Sequence, residues 1–302
     1  MGAMLKIGSK GIHMKKNKTG IILFLVPAVL LFLAVFGASL VMLFGSSFTD
    51  WSIGSAINFV GIKNYINLFH DKSFLKATEN TLIWVVLQSV VHVTIGVLVA
   101  LILAQKKFYW KFIRTVYMIP NIISSAALGM MFMILLNPQF GIVNKIIQSM
   151  GFHDFNVNWF QNKGTAFGAV TAIWLPYAAT ITILVLAEIS AIDTSIYEAA
   201  QVDGATNFQT TVYITVPMLR NIIGTSAVLG ATSMLQKLDV LMMTTQGGPQ
   251  DRTLNLPLFI YNAALTDNDF ARANTAGVYL IIIGLTAVLI INKVFRVGKA
   301  DN

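Results

Sequence analysis

Long stretches without a charged side chain alternate with short polar ones along this chain. No Asp, Glu, Lys or Arg interrupts Thr19 to Thr49, Asn80 to Gln105, Thr115 to about Leu136, Gly164 to Ala187, or Ala273 to Asn292. A helix crossing a bilayer needs about 20 mainly apolar residues, and each of these runs reaches that length. A further apolar run, from about Asn221 to Met243, is uncharged except for Lys237 and Asp239 near its end. The pattern predicts an all-α membrane protein with six transmembrane helices. Pro120 and Asn121 fall early in the third span and Pro176 near the middle of the fourth, while Pro138 and Gly141 break the loop between them.

Composition sharpens this class. Apolar residues make up 56% of the 302 and charged residues only 11%, against about 25% charged in soluble domains. The net charge of +8 would suggest nucleic acid in a soluble protein. Here the charges cluster at the ends of apolar runs, so they read as topology signals and imply a lipid bilayer, not nucleic acid, as the partner. Lys and Arg favour an N-in, C-in arrangement. The basic tail before Thr19, the connector with Lys106, Lys107, Lys111 and Arg114, and the end with Lys293, Arg296 and Lys299 are then cytoplasmic. Residues 1–19 read as a cytoplasmic basic tail, with those before Met14 either native or a start-site extension. Residues 20–295 form the membrane domain and 296–302 a cytoplasmic C-terminal tail. The first run is too long, and lacks the small-x-small site, for a cleavable signal peptide. Trp51 and Trp110 read as membrane-boundary residues.

Several chemistries are excluded. The chain has no cysteine, so it has no disulfide, thiolate metal site or thiol nucleophile. His13, His70, His92 and His153 are scattered, and His92 in its apolar run reads as packed or hydrogen-bonded. No G-x-x-x-x-G-K-[ST] occurs, so the chain has no phosphate-binding loop of its own. No metal cluster or nucleophile with its base is visible, which argues against an enzyme.

One polar stretch, Ser195 to Pro217, is full of helix punctuation. Ser195 and Glu198 have capping-box spacing, Gly204 sits where a left-handed residue would end a short helix, and Thr206 with Gln209 repeats the capping spacing. Pro217 opposes regular continuation. The reading is helix, tight turn, helix, over 193–217. Ala199 and Ala200 are small enough to let a partner surface approach.

Glu198-Ala-Ala, then Asp203-Gly204-Ala205, then Ile214-Thr-Val-Pro217 resemble the EAA loop of ABC importer membrane subunits. Phe59-Val-Gly-Ile-Lys-Asn-Tyr65, Phe74 and Asn80-Thr81 are similar to the extracellular stretch of the sugar-transporter branch. Thr245-Gln-Gly-Gly-Pro249 with Leu258-Phe-Ile-Tyr261 resembles the loop before its last helix, in the subunit similar to the first maltose, glycerol-phosphate or multiple-sugar permease. The resemblance covers roughly residues 20 to 295. It implies a type I ABC importer transmembrane-domain fold and a non-catalytic carbohydrate permease in the bacterial inner membrane. The implied partners are a second homologous permease in a heterodimer, two ATPase subunits that bind ATP and Mg, and an extracytoplasmic solute-binding protein; this chain itself holds no cofactor and no metal. Glu198, Ala199, Ala200, Asp203 and Gly204 would then dock on the ATPase.

Candidate path residues lie within the spans. Ser226, Gly230, Ser233 and Lys237 recur at i, i+4, i+7 and i+11, one narrow face of a helix; Gln236 lies beside it. This face either lines a solute path or packs through small residues against another helix, with Lys237 paired or snorkelling. The resemblance implies an apolar residue where Lys237 stands, so a path-facing Lys237 favours an acidic solute. Trp174, Tyr177 and Thr180 around Pro176, and Asn121 with Ser124 in the third span, are open to the same two readings. The competing class is a self-contained secondary transporter, which would use an intramembrane acid or histidine relay; Asp239 and Lys237 are its only charged candidates.

Overall fold

The computed structural model describes residues 18–105, 108 and 110–295. The predicted tails, with Lys6, Lys10, Lys15, Lys16, Arg296 and Lys299, lie outside these residues, as do Lys106 and Lys107 of the basic connector. The described part is helical, with two isolated antiparallel bridges, Thr49 with Phe59 and Ser52 with Asp269. In chain order the helices are α1 Gly20–Ser46, α2 Lys63–His70, α3 Lys72–Ala104, α4 Trp110–Ile122, α5 Ser125–Leu135, α6 Ile142–Ser149, α7 Ala166–Trp174 and α8 Ala179–Ala191. They continue with α9 Thr194–Val202, α10 Asn207–Met218, α11 Arg220–Met234, α12 Asp239–Met243, α13 Leu256–Thr266 and α14 Phe270–Phe295.

The spans are less regular than the apolar runs predict. Four helical stretches (α1, α3, α7–α8 and α14) are long and apolar enough to cross a membrane, and six are reached if each bent pair is one span. The third run is two helices, α4 and α5, bent by 102°. Ser124 adopts an extended conformation and its hydroxyl accepts from the Ala127 amide, so a new helix starts in mid-run. The fifth run ends as α11 at Met234, turns through Leu235–Leu238 and resumes as α12. Pro176 interrupts the fourth between α7 and α8. The second run starts earlier than predicted, because Asp71 caps Ser73 and Phe74 and extends α3 outward to Lys72.

Two cores hold these elements. Phe74, Trp84, Ile173, Met234, Val240, Leu256 and Phe259 cluster at one end of the bundle. Val93, Val97, Ala178, Ile181, Leu219 and Ala227 cluster at the end that carries α9 and α10. Residues from the two sugar-branch motifs meet in the first core. Asn80 Nδ2 donates to the carbonyls of Asp251 and Leu254, and Thr81 Oγ1 accepts from the Leu256 amide. They bind the loop that follows Gly-Gly-Pro to α3. None of the most apolar window of α1 is buried, as suits a helix facing lipid or another subunit.

Candidate functional site

A cavity of about 400 Å³ opens where four helices lose regularity. One wall is the widened π-type turn of α3, Leu87–His92, which contributes Gln88 and His92. The bend between α4 and α5 contributes Asn121, Ile123 and Ser125, and the α7–α8 break contributes Trp174, Tyr177 and Thr180. Gly230 and Ser233 of α11, and Lys237 of the following turn, complete it. Irregular backbone at membrane depth is tolerated where it borders a cavity and its polar groups find partners.

Those partners are present. His92 Nδ1 donates to the Leu175 carbonyl at 2.8 Å. The Tyr117 hydroxyl donates to the Pro176 carbonyl and accepts from the Ala178 amide, both at 2.9 Å. Asn121 Nδ2 donates to Thr180 Oγ1 at 3.3 Å, joining the third and fourth runs. Fully buried Asn255 donates from Nδ2 to the Lys237 carbonyl at 2.6 Å, while its Oδ1 caps α13 at the Leu258 amide. The Lys237 ammonium stands over the Trp174 ring, 5.6 Å from its centroid.

The cavity gathers Gly230, Ser233, Lys237, Trp174, Tyr177, Thr180 and Asn121. Ser226 and Gln236 depart from that group. The Ser226 hydroxyl is fully buried with no hydrogen-bond partner among the described residues, and Gln236 is exposed away from the cavity. The helical stripe itself ends early: α11 stops at Met234, so Lys237 reaches the cavity from a turn. Gly230 also serves packing, since a Cβ there would come within 3.0 Å of the Gln88 carbonyl oxygen. Gln88 and His92 were not singled out as path residues. Their i, i+4 spacing on an otherwise apolar run was the available signal. Asp239 is exposed and does not line the cavity, so the acid of the predicted relay is absent from it.

The second site is the helix–turn–helix of α9 and α10. The cap of α9 is Asp193, not Ser195: the Asp193 carboxylate accepts from the Ser195 amide at 3.0 Å, which makes Thr194 the first helical residue and leaves no Ser195–Glu198 box. That amide holds the Asp193 carboxyl below the usual carboxylate range. Gly204 ends α9 at φ +78°. Its amide bonds to the Gln201 carbonyl, and the Ala205 amide to the Ala200 carbonyl, which is the Schellman arrangement. Thr206 and Gln209 form the predicted capping box of α10. Pro217 does not end that helix; the chain bends by 63° just after it, between α10 and α11. Glu198, Ala199, Asp203 and Gly204 are exposed, whereas Ala200 turns inward and is buried.

The sequence profile of the family described as "Binding-protein-dependent transport system inner membrane component" matches residues 92–297. The chain belongs to that family. It is an ABC transporter permease subunit, a non-catalytic membrane component whose ATP hydrolysis lies in a separate ATPase. The permease is 30% identical to the probable ABC transporter permease protein YurN of Bacillus subtilis, over 95% of this chain and 99% of that one. It is 31% identical to the lactose transport system permease protein LacF of Rhizobium radiobacter, over 78% and 80%. Among solved structures, a bacterial alginate ABC transporter in complex with alginate pentasaccharide-bound periplasmic protein superposes with a TM-score of 0.82, over 94% of this chain and 98% of that one, at 22% identity. The permease therefore has the fold of an ABC importer membrane subunit and is a multi-pass membrane protein.

Proposed function

We propose that this permease forms half of the translocation path of an ATP-driven carbohydrate importer in the bacterial inner membrane. The observation that carries this reading is the cavity: an indole and a phenol beside amide and hydroxyl groups, at the breaks of four helices. Aromatic faces stack on sugar rings, and the polar groups meet their hydroxyls. The lactose permease among its relatives supports a carbohydrate solute. In this reading each bent pair counts as one span, giving six with both termini inside, and α9 with α10 on the cytoplasmic side. The chain pairs with a second, homologous permease, two ATPase subunits that hold ATP and Mg, and an extracytoplasmic binding protein that delivers the solute.

ATP binding closes the ATPases and draws the coupling helices together. The two permeases then rock from inward-open to outward-open around the cavity, and hydrolysis resets them with the solute released inside. Glu198, Ala199, Asp203 and Gly204 offer the exposed surface for docking in a groove of the ATPase. The test is co-expression with its genomic neighbours, followed by asking whether an ATPase subunit co-purifies. Wild type should retain the ATPase in detergent, Glu198→Ala should weaken retention and Gly204→Asp, which places a side chain at a positive φ, should lose it. Normal retention by both variants would sink the coupling role.

A further inference from the structure

The cavity wall is chemically one-sided. It carries the Lys237 ammonium and the His92 imidazole, and none of its lining residues is Asp or Glu. The ion pairs among the described residues are Lys76 with Glu79 and Arg272 with Asp71 and Asp267. Lys237 belongs to none of them. Its ammonium donates to no protein acceptor among the described residues; the Trp174 face beneath it supplies a partial counter-charge, and Asp239, two residues on and exposed, acts on it without forming an ion pair. The Trp174 indole N–H is also without a partner among the described residues. Asn255 fixes the main chain from which the Lys237 side chain extends, through the carbonyl of that residue.

This combination is costly without a ligand and suited to one kind of ligand. A cation within a membrane domain calls for a counter-charge. Sites for neutral sugars gain from carboxylates, because every sugar hydroxyl must also donate a hydrogen bond. A wall with a lysine and no carboxylate favours a solute that brings oxyanion acceptors of its own. We propose that the solute is an anionic saccharide, and that Lys237 binds its carboxylate or phosphate while Trp174 covers the ring beside it. This rests on the carbohydrate-importer reading and narrows its substrate class. A cavity of about 400 Å³ is within the range of small-ligand sites, room for one or two sugar units at a time.

The experiment uses the complete importer, with its second permease, ATPases and binding protein, in proteoliposomes. The probes are two matched pairs: galactobiose with digalacturonate, and glucose with glucose 6-phosphate. ATP-dependent uptake is measured for wild type, Lys237→Gln, Lys237→Met and Lys237→Arg, each checked for ATPase co-elution. Wild type should favour the acidic member of one pair, and that pair tells carboxylate from phosphate. The Gln and Met variants should lose about 10- to 100-fold in kcat/KM for the acidic member, the range for a hydrogen bond to a charged group, with the neutral member little changed. Lys237→Arg should keep most of the preference. Wild-type uptake with no preference for the acidic member in either pair would overturn the proposal and leave the carbohydrate reading standing. So would equal loss of both members in Lys237→Gln, which would mark Lys237 as structural, or an unchanged preference, which would place selection in the binding protein. Absence of ATP-dependent uptake for all four probes would instead refute the carbohydrate reading, and this proposal with it.

Discussion

Asn255 offers the sharpest test of how the cavity is held. It is fully buried and does two things with one amide. Its Oδ1 accepts from the Leu258 amide at the start of α13, and its Nδ2 donates to the Lys237 carbonyl. A helix cap is worth about 1 kcal/mol. The second bond contributes about 1 kcal/mol by itself, and a buried carbonyl left without a partner costs about 1–3 kcal/mol. Interhelical hydrogen bonds in membrane proteins average nearer ~0.6 kcal/mol, which sets the lower bound.

Two substitutions separate the contributions. Asn255→Ser keeps a capping oxygen and removes the Nδ2 donor that reaches the Lys237 carbonyl, so it should cost about 1–3 kcal/mol. Asn255→Ala removes both bonds and leaves a small void, and should cost about 2–4 kcal/mol. Thermal unfolding of the purified importer should rank wild type above Ser above Ala, with steps of about 2–4 °C per kcal/mol. The transport readout should separate from stability. Asn255→Ser frees the turn that bears Lys237, so its solute KM should rise by more than its stability loss would suggest. The reasoning fails if Ser and Ala are equally stable, or if Asn255→Ser leaves both midpoint and KM at wild-type values.

Two further outcomes follow from other contacts. The Trp84 indole donates to Thr171 Oγ1 at 2.7 Å while its ring stacks on Phe167; Thr171→Val keeps the shape, strands the buried N–H, and should destabilise by about 1–3 kcal/mol in thermal unfolding. The Asp193 carboxyl has a lowered folded-state pKa, so its cap on α9 is fully present above the unfolded value near 3.8 and is lost as pH falls through the lower folded pKa; the protection of the Ser195 amide against hydrogen exchange, taken relative to its intrinsic rate, should fall across that acid window in wild type, and Asp193→Asn should abolish that pH dependence.

The division into apolar runs was legible because a bilayer allows few ways to satisfy backbone groups, and uncharged runs of sufficient length report them directly. The turn at Gly204 and the capping box of Thr206 and Gln209 were legible because caps are local chemistry. The cap at Asp193 was misplaced by two residues because Ser195 offers the same spacing signal, and only the backbone conformation chooses between them. What was not legible was regularity within the runs. Nothing in the composition of Thr115–Leu136 announces a 102° bend; it depends on Ser124 capping α5 in the middle of an apolar run. Likewise the helical face from Ser226 to Lys237 assumed one continuous helix. The break after Met234 sends Lys237 to the cavity by a turn and leaves Ser226 packed.

The breaks share a logic that bears on transport. Each leaves backbone groups that a continuous helix would have satisfied, and side chains from other elements take up several of them: His92 at Leu175, Tyr117 at Pro176 and Ala178, Asn255 at Lys237. These bonds cross between elements, so the cavity lining is tied into the bundle at points instead of along ridges. A path that opens to either side has to let its walls move relative to one another, and exchanging a few hydrogen bonds in a polar cavity is easier than sliding a close-packed apolar face. The two apolar cores on either side of the cavity, around Trp84 and around Val97, would then be the parts that stay rigid. In the proposed cycle, motion would fall at Leu87–His92, Ile123–Ser124, Leu175–Ala178 and Leu235–Leu238, four breaks that carry Gln88, His92, Tyr177 and Lys237 and adjoin Asn121, Trp174 and Ser233 of the cavity wall. Coupling between solute and conformation would need no separate relay in that arrangement, because a solute bridging Lys237 and Trp174 would span from the Leu235–Leu238 turn to the rigid first core, across a boundary that has to move.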